Sequence, residues 1–349
     1  MAQKKIVREL IPVNAVYAIK KTGEKLVGDG KSVYFPQRAA KGDTYVDKDY
    51  TYSYKKPGYG PDWSVVATDK TKASYGPIRS CICGKNVTNL ENAFWDCANM
   101  TESPIIPDSV TDIGRAFWGC VSLVKAPAIP AGITNMCGAF YGCASLVEAP
   151  AIPDSVTRID STFQGCASLK SYAGSADLDG DFSKFKIPAG VPDMWLTFKG
   201  CKSLVKAPEI PSGVRVMYFT FNDCESLVSA PLLPDSVMSM YGIFHGCVSL
   251  KSYAGSTDTD GDFSKFRIPA GVGIMQSTFR DCKSLVTAPV IHGNIIDMLC
   301  AFSGCTSLTG TLVCYADLVS NKDALKGTKI TAIEGSCSEK TKHTLLATN

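Results

Sequence analysis

Apolar positions recur along most of the chain about three residues apart, in blocks of 23 residues. The clearest marker is a phenylalanine followed three residues later by a cysteine, as in FYGCASL at residues 140–146. Successive marker phenylalanines lie 23 residues apart, except at two places where they lie 35 apart. The pattern predicts nine copies of one structural unit, two of them lengthened by a 12-residue insertion. The nine are Phe94, Phe117, Phe140, Phe163, Phe198, Phe221, Phe244, Phe279 and Phe302.

Aligning the units shows six apolar columns, so one unit presents far more apolar surface than it can bury alone. Between Phe117 and Phe140, for example, the apolar positions are Cys120, Leu123, Ile129, Ile133 and Met136. Stacked copies bury such a face against their neighbours. The columns therefore predict a repeat solenoid, in which each unit is one turn of a flattened coil.

The repeat resembles the 23-residue class of BspA-like leucine-rich repeats. The stretch CVSLVKAPAIPAGITNMCGAF, residues 120–140, has the cysteine, the Ile-Pro pair, the valine or isoleucine and the Ala-Phe pair in the family's order. The resemblance covers about 80–310 and implies a right-handed coil of short parallel strands. Prolines depart from the family where its strand lies, and because proline has no N–H to donate, we expect only short bridges and polyproline-like segments there. These are Pro127, Pro150, Pro208, Pro231 and Pro289.

Both ends of a solenoid need a cover for their apolar faces. Residues 1–80 alternate apolar and polar positions in TYVDKDYTYSYKK and WSVVATD, which predicts a β-rich domain that caps one end and attaches the protein to something else. We assign 81–310 to the solenoid and 311–349 to a C-terminal cap.

The repeated cysteine defines a column that we call the thiol ladder. Equivalent side chains in stacked turns point the same way, whereas a disulfide needs two side chains that face each other. We therefore expect buried, unbonded thiols that act as small apolar residues. The ladder comprises Cys97, Cys120, Cys143, Cys166, Cys201, Cys224, Cys247, Cys282 and Cys305.

Two hypotheses concern cysteines outside the ladder. Cys81 and Cys83 form a close pair that, with Cys97, resembles part of a zinc site, although histidine partners and a second close pair are missing. Cys314 and Cys337 are placed so that a bond between them would close the C-terminal end.

The two insertions are near-copies, SYAGSADLDGDFSKF at 171–185 and SYAGSTDTDGDFSKF at 252–266. Alternating carboxylates around a glycine suit a calcium ion, but an Asx-rich turn uses the same residues, and the glutamate that completes a helix-loop calcium motif is absent. Both interpretations stay open, and calcium is the one cofactor considered. The carboxylates are Asp177, Asp179, Asp181, Asp258, Asp260 and Asp262.

Two variable columns beside the repeated phenylalanine hold aromatic residues in consecutive units. Exposed aromatic side chains give rigid contact area with a polar handle, which is typical of protein or sugar recognition. The alternative is that these rings shield the edges of the coil. One set is Trp95, Trp118 and Tyr141, and the other is Trp195, Tyr218 and Tyr241.

Catalytic signals are missing from the pattern. The chain has three histidines, His245, His292 and His343, none with a fixed acidic partner, and its ladder cysteines are interchangeable. Net charge is +3, with +7 in residues 1–80 and −4 in the remainder, which is too mild for a nucleic-acid arm. We therefore expect no nucleic-acid binding. No apolar run has the length of a signal peptide or a membrane-spanning helix, so we expect no membrane insertion either.

The resemblance implies a non-enzymatic recognition protein that binds a protein or glycan ligand. Arrays of this kind, opening as in WSVVATDKTKASYG and closing as in SLTGT, resemble those of phage and prophage structural proteins as well as bacterial surface proteins. We expect a virion head or tail fibre or decoration protein for host attachment, docked to other virion proteins through residues 1–80. A bacterial cell-surface adhesin and an intracellular scaffold are the alternatives.

Overall fold

A computed structural model describes residues 41–54, 62–82, 84–257 and 259–347, together with the backbone of three short strands at 10–12, 17–19 and 32–34. All that follows concerns these residues. From residue 90 onward, the main chain of each unit hydrogen bonds to the main chain of the next unit in a repeated pattern.

Successive turns are joined by a regular main-chain ladder around the repeated phenylalanine. The Phe117 N–H donates to the Ala139 carbonyl at 2.8 Å, and the Gly119 N–H donates to the Tyr141 carbonyl at 2.7 Å. Parallel bridges continue this side of the coil, for example between Asp112 and the equivalent residue of the next turn, Asn135. The chain is thus a repeat solenoid with short parallel pairings, as the sequence predicts.

Tight turns keep these pairings short. The Cys143 N–H donates back to the Phe140 carbonyl at 3.1 Å, and Gly142 between them has φ +71°. Positive φ at the third position defines a type II turn, which favours glycine and tolerates aspartate or asparagine. This geometry explains why each ladder cysteine follows Gly or Asp. Asp96, with φ +58°, takes the glycine's place in the first unit.

Prolines limit pairing on the other side of the coil, as expected. Bridges such as Lys125 to Glu148 and Lys206 to Ser229 stop at the Ala-Pro pairs that follow. Two-residue parallel strands extend them where a neighbouring turn has no proline at that position. These are β9 (Glu148–Ala149) with β10 (Ser171–Tyr172), and β11 (Ser229–Ala230) with β12 (Ser252–Tyr253).

The core runs the length of the described solenoid. Rings of neighbouring phenylalanines stack in parallel, with centroids 5.2 Å apart for Phe94 and Phe117 and 5.3 Å apart for Phe117 and Phe140. Each insertion adds its own buried rings at the same core, and Phe185 packs edge-on against Phe163 and Phe198. Both insertions are therefore anchored by aromatic packing.

The N-terminal strands form a sheet that covers the first turn. Its order is β2-β4-β5-β6-β8-β7, and a separate pairing joins β1 and β3. The Ala67 N–H donates to the Ala93 carbonyl at 2.7 Å, and Tyr50 packs edge-on against Phe94. Strands before and after residue 80 belong to this one sheet. A domain boundary at residue 80 therefore stays a prediction. The strands are β1 (Leu10–Pro12), β2 (Tyr17–Ile19), β3 (Ser32–Tyr34), β4 (Thr44–Val46), β5 (Tyr50–Tyr54), β6 (Trp63–Ala67), β7 (Cys81–Ile82) and β8 (Lys85–Asn89).

The C-terminal residues cover the last turn. Strand β13 (Thr309–Val313) pairs in parallel with β14 (Lys329–Glu334), and helix α1 (Glu339–Leu346) follows. The Ser338 side chain caps this helix by accepting the Thr341 N–H, which satisfies a donor that the first helical turn leaves free. Within the described residues no helix has the length and apolar character needed to cross a membrane.

Candidate ligand-binding surface

The first aromatic set forms a stack. Trp95 and Trp118 lie parallel with ring centroids 4.9 Å apart, and Trp118 and Tyr141 lie parallel at 3.6 Å. The Trp95 indole N–H also donates to Asp96 at 2.7 Å. Because the rings cover one another's faces, all three are only half-exposed. This arrangement matches the alternative in which the rings shield the coil edge, and a binding role for this set stays a prediction.

The second set presents more surface to solvent. Trp195 is 47% exposed and Tyr218 is 37% exposed, in consecutive turns. Tyr241 follows in the next turn and meets Tyr218 edge-on, with centroids 6.1 Å apart. An edge-on pair covers a face of only one of its two rings, whereas each stacked pair of the first set covers a face of both.

Phe219 belongs with this second set and was missed in the sequence. Its ring lies 4.5 Å from that of Tyr241, and the Lys199 ammonium lies 5.8 Å from its centroid. Phe219 has φ +54°, a strained conformation for a bulky residue. We call Trp195, Tyr218, Phe219 and Tyr241 the aromatic cluster. The available signal was a bulky residue in a column that holds glycine in other units, such as Gly138 and Gly242.

Gly242 makes room for this ring. A side chain at position 242 would overlap the Phe219 ring, and Gly242 has φ +62°. The space that the glycine leaves lets Phe219 lie over the next turn and fill the gap between turns. Positive φ recurs at the equivalent residue of every unit, so the feature specific to this pair is the space that Gly242 leaves beside the Phe219 ring.

Asx-type contacts hold the backbone of the cluster. The Asp193 carboxylate accepts the Trp195 N–H at 2.7 Å, and the Ser239 hydroxyl accepts the Tyr241 N–H at 3.3 Å. Burial raises the pKa of Asp193, and the Trp195 N–H partly offsets that effect. The same contact recurs in the last unit, where Asp297 accepts the Leu299 N–H at 2.8 Å.

A groove of 880 Å³ lies on another side of the coil, next to both insertions. Its lining includes Pro208, Pro231 and the exposed Leu232, with Lys186 and Arg267 among the charged residues. Both cations have exposed acidic partners: Lys186 pairs with Asp154 at 2.7 Å, and Arg267 pairs with Asp235. The groove depends on where the insertions fold back, so the repeat pattern alone did not predict it.

Two aspartates of the first insertion, Asp179 and Asp181, bond to other groups of the protein. The Asp181 carboxylate pairs with Lys206 at 2.7 Å and accepts the Ser183 N–H at 2.8 Å, while Asp179 accepts the Asp181 N–H at 3.0 Å. Burial works to raise the pKa of Asp181, but Lys206 and the Ser183 contacts outweigh it and lower that pKa. Asp177 is exposed and accepts none of these hydrogen bonds.

The second insertion repeats these turns. Asp262 accepts the Ser264 N–H at 2.8 Å and also bonds the Thr287 hydroxyl, and Asp260 accepts the Asp262 N–H at 3.3 Å. Asp258 lies outside the described residues. In the described part of the chain, no three His, Cys, Asp or Glu side chains are grouped to hold a metal ion. The calcium interpretation stays a prediction.

The thiol ladder has a specific hydrogen-bonding role. The Cys143 thiol donates to the Phe117 carbonyl of the preceding turn at 3.1 Å, and the Cys166 thiol donates to the Phe140 carbonyl at 3.1 Å. Both thiols are fully buried and unbonded to other cysteines. Burial raises their pKa well above the usual range of a thiol, which disfavours the reactive thiolate. These geometries suit packing and not nucleophilic chemistry.

Among the described residues, Cys137 and His245 have acidic neighbours, and Cys81 is exposed. Cys137 bonds its thiol to Asp160, and burial raises its pKa to about 12. Burial lowers the pKa of His245, whose ring nitrogen lies 3.6 Å from the Asp281 carboxylate. Cys83, the other half of the suggested zinc pair, lies outside the described residues.

The family comparison identifies the repeat. Residues 79–179 match the BspA type Leucine rich repeat region, with six copies. Residues 79–179 are therefore similar to the BspA-type leucine-rich repeats. The match includes the units whose cysteine, Ile-Pro and Ala-Phe positions first indicated this class. Beyond the match, the phenylalanine and cysteine markers recur to Phe302 and Cys305.

Three solved structures that are similar to this chain come from bacteria. The Treponema pallidum leucine-rich repeat protein TpLRR is 22% identical, with 68% of this chain and 88% of that chain covered and a TM-score of 0.44. A leucine-rich cell surface protein from Faecalibacterium prausnitzii is 18% identical, with 86% and 97% covered and a TM-score of 0.37. The pneumococcal vaccine antigen PcpA is 13% identical, with 89% and 97% covered and a TM-score of 0.41. Comparison with curated protein sequences gives no match.

Proposed function

We propose that this protein is a non-enzymatic recognition protein whose solenoid binds a protein or glycan ligand through the aromatic cluster. The observation that carries the proposal is the placement of Trp195, Tyr218, Phe219 and Tyr241 at the surface of consecutive turns. Tyrosine and tryptophan bury large area at little cost in conformational entropy, which is why they dominate binding hot spots.

The backbone beneath the cluster supports recognition without rearrangement. Main-chain bonds join each turn to the next, as from the Phe219 N–H to the Tyr241 carbonyl at 3.0 Å. Asp193 holds the backbone of Trp195 in addition. A site that is already in its binding geometry loses less entropy when the ligand arrives. Lys199 beside Phe219 adds a cation at the rim, suited to a carboxylate of a protein or an acidic sugar.

For the biological setting, we propose attachment to a bacterial or mucosal surface. The first placement is a virion fibre or decoration protein that docks to its particle through residues 1–80, and the alternative is a bacterial cell-surface adhesin. An intracellular scaffold is the third candidate. The resemblance of the repeat to proteins of these classes supports the proposal. The aromatic cluster begins at Trp195, far along the chain from the proposed docking residues 1–80, so docking and binding would use different parts of the chain.

The binding test uses the full chain with Trp195, Tyr218 and Tyr241 replaced by alanine. Immobilised mucin glycans and fixed cells of the source community serve as probes. Tyr315→Ala is the matched control, because Tyr315 is an aromatic residue that is 51% exposed outside the cluster. We expect the triple variant to lose at least 10-fold in affinity and the control to bind like the wild type. Equal binding by the wild type, the triple variant and the control would show that the aromatic cluster is not the binding site.

A further variant asks whether the groove is the binding site instead. Leu232→Lys places a charge on an exposed apolar side chain of the groove lining. We expect it to leave binding unchanged. Loss of binding only in Leu232→Lys would transfer the site from the cluster to the groove.

The placement test is fractionation of the source culture with an antibody, before and after prophage induction. Co-sedimentation with released particles is the result expected for a virion protein. Recovery in the cell envelope alone would replace that placement with the adhesin. Recovery in the cytosol alone would leave the scaffold.

A further inference from the structure

The C-terminal cap brings two buried cysteines together. Cys314 follows β13 directly, and Cys337 lies between β14 and α1. Both are buried, with exposures of 0% and 4%. Neither belongs to the thiol ladder, so neither is accounted for by the hydrogen bond to a phenylalanine carbonyl that ladder thiols make.

The main chain sets these two residues side by side. The Cys337 N–H donates to the Cys314 carbonyl at 3.4 Å. Gly335, with φ +104°, lies so close to this carbonyl that any side chain at position 335 would overlap it. The glycine therefore lets the chain cross directly over Cys314. Neighbouring extended segments joined by main-chain hydrogen bonds lie about 4.8 Å apart, a spacing inside the Cα range of disulfides.

The two side chains also meet. The Cys314 sulfur lies 3.6 Å from the Ala316 carbonyl oxygen, and the Cys337 thiol is close enough to be among the causes that raise the pKa of Cys314. The ladder thiols from Cys120 onward instead donate to a phenylalanine carbonyl of the preceding turn, as Cys143 does to Phe117. Geometry thus separates this pair from the ladder.

We propose that Cys314 and Cys337 form a disulfide that fastens the C-terminal cap onto the last turn of the solenoid. The reaction joins the two sulfur atoms, releases two protons and passes two electrons to an oxidant. The oxidant is a second disulfide, either glutathione disulfide or the active-site disulfide of a thiol oxidase, which is reduced to two thiols. A mixed disulfide between one cysteine and the oxidant is the intermediate, and the second thiolate displaces the oxidant's thiol.

The closed cap slows both oxidation of the two thiols and reduction of the disulfide. Burial raises the pKa of Cys314 to about 12, so little thiolate exists while the cap is closed. The bond therefore forms while the chain folds or when the cap opens, and it is then shielded from reductants. A disulfide across the cap restrains the segment between the two cysteines, which contains β14.

The test folds the full wild-type chain from denaturant, once in a glutathione redox buffer and once in excess dithiothreitol. Free thiols are alkylated in denaturant and counted by mass. We expect two fewer alkylated thiols than the 15 cysteines of the chain in the oxidised sample, and all of them in the reduced one. Trypsin should then yield a linked pair of peptides, 284–322 and 330–340, with the bond placed at Cys314 by fragmentation.

Two variants make the result specific. Cys337→Ser should abolish the linked peptides, while Cys300→Ser, at a half-exposed cysteine of the last unit, should keep them. The oxidised wild type should melt several degrees above the reduced protein, and Cys337→Ser should show no such difference. Full alkylation after oxidation, or a bond that joins other cysteines, would overturn the proposal. Its failure would leave the binding role of the aromatic cluster untouched, because the two rest on different residues.

Discussion

The Cys143 thiol donates a hydrogen bond to the carbonyl oxygen of Phe117 in the preceding turn, at 3.1 Å. The same oxygen accepts the Cys120 N–H at 3.2 Å, which closes the type II turn of its own unit. The repeated phenylalanines are buried, and the carbonyl oxygen of each has two lone pairs that need hydrogen-bond donors. Cysteine fits because it is small, largely apolar and still carries one weak donor.

Cys143→Ala is predicted to lower the free energy of unfolding by about 1–3 kcal/mol, because it removes the donor and leaves a small cavity. Urea denaturation measures the change. Cys137→Ala is the control, since Cys137 is half-exposed and bonds to Asp160 instead. Equal losses in the two variants would contradict a special role for the ladder thiol.

Gly242→Ala and Gly142→Ala separate backbone strain from a clash. Both glycines have positive φ, but only at 242 would the added methyl group overlap the Phe219 ring. We expect Gly142→Ala to cost about 1 kcal/mol from strain alone and Gly242→Ala to cost clearly more. Chemical denaturation gives both values. A smaller loss at 242 than at 142 would show that Phe219 does not need that space.

Asp193→Ala is predicted to loosen the backbone at Trp195, because the carboxylate accepts the Trp195 N–H. Asp297→Ala removes the equivalent contact to Leu299 in another unit. Both should lose about 0.5–1.5 kcal/mol of stability. Ligand affinity should fall only in Asp193→Ala. A similar fall in affinity in both would mean that the change acts through global stability.

Acid should selectively weaken a contact within the N-terminal region, between the turn that joins β4 to β5 and the segment between β6 and β7. Asp49 bonds Lys72 at 2.6 Å and accepts the Gly76 N–H at 2.8 Å. Burial works to raise the pKa of Asp49, but Lys72 and Gly76 outweigh it and lower that pKa. The carboxylate therefore stabilises the fold above its unfolded pKa of about 3.9, and this contribution is lost as pH falls through the lower folded value.

Asp49→Asn tests this sign directly. The variant should be less stable than the wild type at pH 7, and the difference should shrink as the wild-type carboxyl is protonated at pH 3 and below. Urea midpoints for both proteins across this range measure it. A difference that stays constant with pH would mean that the charge of Asp49 is not what stabilises the contact.

Calcium is predicted to leave the melting temperature unchanged at about 1 mM, the concentration that weak extracellular calcium sites require. The reason is that Asp181 is already paired with Lys206 and with the Ser183 N–H. Thermal melts with calcium and with magnesium as the matched ion measure the effect. A saturable rise with calcium alone would establish the site, and Asp181→Asn should then abolish it.

The stacked coil was predictable from the sequence, because the same residue types recur at a fixed spacing. Phe, Cys, Leu and Met occupy equivalent positions in unit after unit, and a stacked coil is the arrangement that buries all of them. The prolines likewise indicated that pairing would be short at the Ala-Pro segments. Phe219 could not be assigned in this way, because the position of its ring depends on the space beside Gly242 in the next turn.

The sequence by itself determined the solenoid, its 23-residue turn and the burial of the ladder, because each of these follows from a periodic pattern that only stacking satisfies. Only the tertiary structure decided that Trp95, Trp118 and Tyr141 cover each other while Trp195 and Tyr218 remain open. It also decided the groove beside the insertions and the meeting of Cys314 with Cys337. The physical reason is that these features depend on local backbone torsions and on contacts between residues far apart in the chain, which no repeat pattern encodes.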